Sequence, residues 1–91
     1  MMSPDAMLNI GEKIARYLPV IEKQYARPEF AAVRLSIERL VGSGIRLEHA
    51  KMMAAVIFSA YKERSEAQGL PLDFDAYVAE LALLTEPAWR D

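Results

Sequence analysis

The stretch from Ile45 to Gln68, IRLEHAKMMAAVIFSAYKERSEAQ, constrains this chain most, because no other segment is both long enough and apolar enough to sit at the centre of a core. From Met52 to Phe58 seven successive residues are uncharged and apolar, and the run continues through Ala60 and Tyr61 with Ser59 between. A helix that is apolar around its whole circumference is a buried one. Its ends are different: Arg46, Glu48, His49 and Lys51 at the front, and Lys62, Glu63, Arg64 and Glu66 at the back, reach toward water. The sequence therefore predicts a buried central helix over about residues 46–67. Its middle, Ile57 and Phe58 included, is wrapped by other helices or by a second copy of the chain.

The flanking segments read as the wrapping. Ser3-Pro4-Asp5 supplies a capping hydroxyl, a proline whose missing N–H costs nothing, and an acid facing the helix dipole. Met7, Ile10, Ile14, Tyr17, Leu18, Ile21 and Tyr25 then form one apolar stripe at spacings of three and four, and its phase survives Pro19. That continuity predicts one helix to about Ala26, kinked at Pro19, with two shorter helices as the alternative. Pro28 and Glu29 open a second helix, whose Phe30, Val33, Ile37, Leu40 and Val41 mark an inner face until Gly42-Ser43-Gly44 ends it. The tight turn makes the second and central helices a hairpin, antiparallel or strongly angled. Gly69 supplies a left-handed cap and Pro71 blocks continuation. Asp73 caps a fourth helix with Phe74, Tyr77, Val78, Leu81 and Leu84 inward, stopped by Glu86-Pro87. No alternating run makes a strand. The expected fold is all-α, one domain over residues 1–91, a four-helix bundle-like arrangement around the buried central helix.

Charge and chemistry-bearing residues exclude more than they suggest. The net charge of −2 is uneven, +2 over residues 1–53 and −4 over residues 54–91, and neither half is a nucleic-acid footprint. With no cysteine and one histidine, His49, outside any HExxH spacing, one chain offers no metal set, and no cofactor is expected. His49 reads as a partly exposed residue in the first turn of a helix. No serine lies in a GxSxG context, and the Gly42/Gly44 pair follows a helix rather than a strand, the wrong setting for phosphate. The carboxylate pairs Glu63/Glu66 and Asp73/Asp75 sit at helix ends, where capping and dipole interactions account for them. The Asp-Ser-Leu attachment site of acyl carrier proteins is absent, and the basic residues lie on expected outer faces, unlike the inward arginines of helical chorismate mutases. The N-terminus lacks the basic and long apolar regions of a signal peptide, and no apolar run approaches about 18 residues. A cytoplasmic protein with no membrane association and no enzymatic activity is expected.

Ser36-Ile37-Glu38-Arg39-Leu40, Gly44-Ile45, Glu48-His49-Ala50 and then Asp75, Tyr77 and Leu81 resemble a group of small bacterial helical domains of no assigned function. That group carries a Gly-Leu-x-x-His-Glu-Ala-x-His helix. The similarity spans about half the chain and implies a helical layout. Glu48 and Met52 stand where the two histidines would be, so it implies no metal site here.

Two functional classes follow. The first is a protein–protein interaction module, an adaptor, inhibitor, chaperone or regulator, that self-associates as a homodimer. It would use Ile10, Ile14, Tyr17, Leu18 and Ile21 with Met52 and Met53. An excess of apolar helix and five methionines favours it, although the same residues also suit a monomer core. The alternative is a bundle that binds a small molecule or acyl chain, with Tyr17, Tyr25, Tyr61 and Tyr77 as polar handles in an apolar cavity. The weakest reading is a DNA-binding regulator, since a helix–turn–helix outline over residues 34–51 gathers a basic rim of Arg34, Arg39, Arg46 and Lys51. A recognition helix must present polar groups to base edges, and MMAAVIFSAY does not. Nucleic acid is therefore a disfavoured partner.

Overall fold

The computed structural model describes the backbone over residues 4–85 and the side chains from residue 10. It contains four α-helices: α1, Pro4–Ala26; α2, Ala31–Gly42; α3, Leu47–Gln68; and α4, Phe74–Leu83. No strand occurs among the described residues. The Ser3 cap and the Glu86-Pro87 stop lie outside them.

Helix α1 runs unbroken past Pro19. Pro19 and Ala15, the residue whose carbonyl loses its N–H partner to the proline, are both exposed. The second helix begins later than its sequence signal suggests. Arg27 is extended, as the residue before a proline prefers, and Pro28–Phe30 forms a 3₁₀ turn before α2 starts at Ala31. Phe30 (φ −108°, ψ 33°) leaves helical geometry and is half-buried against Phe74, ring centroids 5.5 Å apart.

Both helix-ending glycines close the same motif. After α2 the Gly44 N–H donates to Val41 O (3.0 Å) and the Ile45 N–H to Leu40 O (3.1 Å); after α3 the Gly69 N–H donates to Glu66 O (3.3 Å) and the Leu70 N–H to Ser65 O (3.0 Å). These crossed pairs define the Schellman cap, which needs a left-handed residue, and Gly44 (φ 107°) and Gly69 (φ 65°) supply it. Asp73 caps α4 by accepting from the Ala76 N–H at 3.1 Å.

Helix α1 lies antiparallel along α3, as Lys13–Glu63 (3.3 Å) and Glu22–Lys51 (2.9 Å) tie opposite ends together. The core takes Tyr17 and Ile21 from α1, Val33, Ile37 and Leu40 from α2, Ala50, Met53, Ala54, Ala55 and Phe58 from α3, and Tyr77 and Leu81 from α4. The buried alanines let neighbouring helices approach α3 closely, since interaxial distance follows side-chain size. No residue from Ala50 to Ser59 is exposed, which is the central burial that the apolar run predicts. Cover is uneven, however: Met52, Val56 and Ile57 are only half-buried. Val41, expected inward, is 39% exposed.

Candidate functional site

Several polar side chains hold the helices together. Tyr77 is fully buried, and its hydroxyl donates to Gln24 Oε1 at 2.8 Å, joining α4 to α1. Burial pushes its phenol far above the usual value, so it stays protonated and serves as a donor. Around it stand Phe58 at 5.3 Å, Phe74 at 5.6 Å and Tyr61 at 6.3 Å in edge-on contacts. Tyr61 donates to Glu80 Oε1 at 2.8 Å, a bond that raises its pKa. Tyr17 packs on Phe58 at 5.5 Å, and Tyr25 lies elsewhere, beneath two cations. The four tyrosines do not converge on a shared cavity. A groove of about 460 Å³ beside the start of α4 is lined by Tyr61 alone of the four, together with Arg64, Asp73 and Leu70.

The expected basic rim is divided among separate tasks. Arg39 Nη2 donates to Leu81 O (3.0 Å), which also accepts the Leu84 N–H (3.2 Å), and to Leu84 O (2.8 Å) at the end of α4. It caps that helix with a positive charge where the dipole favours one. Arg34 and Lys51 stand 5.0 and 4.7 Å from the centroid of Tyr25, and each also has an acid, Glu38 at 3.5 Å and Glu22 at 2.9 Å. Arg46 precedes α3 and is exposed. Arg34 and Lys51 thus meet over one ring, whereas Arg39 is committed to the end of α4. His49 is exposed in the first turn of α3, and among the described residues no cluster of histidines and carboxylates is placed to hold a metal.

What remains is an apolar face along α1 and α3. Of the seven residues proposed for an interface, Tyr17, Ile21 and Met53 are buried inside the chain and cannot meet a partner without unfolding it. Ile10, Ile14, Leu18 and Met52 are half-buried. Leu18 and Met52 share a groove of about 440 Å³ with Leu47, Glu48, Lys51 and Glu22. Leu47, which the apolar stripes did not single out, is 39% exposed there. Its signal was available only from three dimensions: it precedes the apolar run and sits between two charged neighbours. Of the charged groups lining the groove, Glu22 and Lys51 are paired with each other at 2.9 Å, and Leu18, Leu47 and Met52 supply its apolar part.

Among the described residues no helix is long and apolar enough to cross a membrane. Comparisons with protein-family models, with curated proteins and with solved structures gave no match.

Proposed function

We propose that this chain is a non-enzymatic protein–protein interaction module that self-associates through the α1–α3 face. One observation carries the reading: Leu18, Leu47 and Met52 stay partly open to water around a groove, while Arg39, Gln24, Tyr61 and Tyr77 are tied up in bonds between helices. A chain of this size leaves a substantial share of its apolar surface unburied, and association recovers part of it. Methionine suits such a surface because its flexible thioether adapts to a partner's contour. A two-fold homodimer is the simplest closed assembly that covers the face with itself.

Sedimentation equilibrium across a hundredfold range of protein concentration tests the reading. The wild type is expected to move from monomer to dimer, and Ile14→Glu and Leu18→Glu to remain monomeric with unchanged helicity. A wild type that stays monomeric throughout removes self-association from the account. A dimer indifferent to both changes keeps the association but moves the contact off this face.

A further inference from the structure

Two adjacent methionines of α3 stand in opposite surroundings. Of the five in the chain, Met52 and Met53 are the two whose side chains are described. Successive residues of a helix point about 100° apart, so neighbours in sequence can face different media. Met53 is 2% exposed, inside the core that also holds Ile21 and Leu40. Met52 is half-buried and lines the groove of about 440 Å³ with Leu18 and Leu47. One water occupies roughly 30 Å³ of liquid, so an oxidant little larger than water has ample room beside Met52 and none beside Met53.

Thioether oxidation follows exposure. The sulfur lone pair attacks one oxygen of hydrogen peroxide, an S–O bond forms as the O–O bond breaks, and the departing hydroxide takes up the remaining peroxide proton and leaves as water. Sulfur loses the two electrons that the peroxide gains. The product is a polar acceptor, and Met52 is one of the three apolar side chains lining the groove. On the open side of α3 water can reach the new oxygen, whereas at Met53 it would be buried without a partner, at the cost of the packing around it. We propose that Met52 is a peroxide oxidation site, and that its sulfoxide makes the groove polar while the core and the fold stay as they are. A sulfoxide reductase reverses the change. Nothing in this step requires a second copy of the chain.

The test treats the folded chain, in dilute solution, with hydrogen peroxide and follows Met52 and Met53 separately by fragment-ion mapping of quenched samples. Met52 is expected to oxidise at least about tenfold faster than Met53, and the two rates to come within about twofold in denaturant, where both are exposed. The chain oxidised at Met52 alone is expected to keep its helical circular dichroism and its cooperative melt. In Met52→Leu, which conserves volume, Met53 is expected to stay as slow as in the wild type, since burial and not a faster neighbour protects it. Equal rates in the folded chain, or a chain oxidised at Met52 that has lost its cooperative melt, would overturn the proposal.

Discussion

Because the Tyr77 hydroxyl and its acceptor Gln24 are both shielded from water, deleting the oxygen leaves a buried amide without its partner. Tyr77→Phe is expected to cost about 1 to 3 kcal/mol in denaturant melts, the penalty of an orphaned buried group rather than of one exchanged hydrogen bond. The same residue sets a pH dependence. Burial raises the folded-state pKa of the phenol above its unfolded value near 10, so the folded chain keeps a proton that the unfolded chain sheds. The contribution is complete below about pH 10 and is lost as pH rises beyond it, by up to about 1.4 kcal/mol per pH unit. Melts of wild type and Tyr77→Phe between pH 9 and pH 11 should therefore converge; parallel curves would mean that the phenol ionises in the folded state as freely as in the unfolded one. Tyr77 was legible as an inward residue from its spacing with Phe74 and Leu81. Its bond to Gln24 was not, because the two lie 53 positions apart and glutamine on an otherwise apolar stripe carries no signal of its own.

At the scale of the element, α3 shows what periodicity reveals and where it stops. The apolar run from Met52 to Phe58 announced a helix buried on all sides through its middle; Met53, Ala54, Ala55 and Phe58 meet that description, while Met52, Val56 and Ile57 are half-buried and Ala60, where the run continues, is exposed. The run could not say which residue has which neighbour. Phe58 sits between Tyr17 and Tyr77 at 5.5 and 5.3 Å, whereas Ile57, next to it in sequence, is half-buried. Phe58→Ala is accordingly expected to destabilise by about 3 to 5 kcal/mol and Ile57→Ala by less than about 2 kcal/mol, since the second side chain was never fully withdrawn from water. Equal losses would mean that α3 is rotated relative to the packing described. The glycine turns and the Asp73 cap were legible for a local reason: each acts on backbone within a few residues. Arg39 was not legible as a cap, because the carbonyls it closes belong to a helix that begins more than thirty positions later.

For the whole molecule, the all-α architecture follows from local patterns, but which face is left open is a property of the assembly of helices. Seven residues at helical spacing looked equally suited to an interface. Packing α1 antiparallel on α3 consumed Tyr17, Ile21 and Met53, left Ile10 and Ile14 half-buried, and set Leu18 and Met52 beside a groove. Leu47 joined them only because the start of α3 is brought beside α1. In the proposed dimer this edge is an unfinished part of the core, completed by a second copy. Association that buries apolar area stabilises the folded state by mass action, so stability must then depend on protein concentration. The direct measurement is the denaturant midpoint of the wild type over a hundredfold range of concentration, beside that of Leu18→Glu. The midpoint of the wild type is expected to rise with concentration, by up to the equivalent of about 2.7 kcal/mol, while that of Leu18→Glu stays fixed. A wild-type midpoint that does not move would contradict the claim and leave the α1–α3 face as the ordinary surface of a monomer.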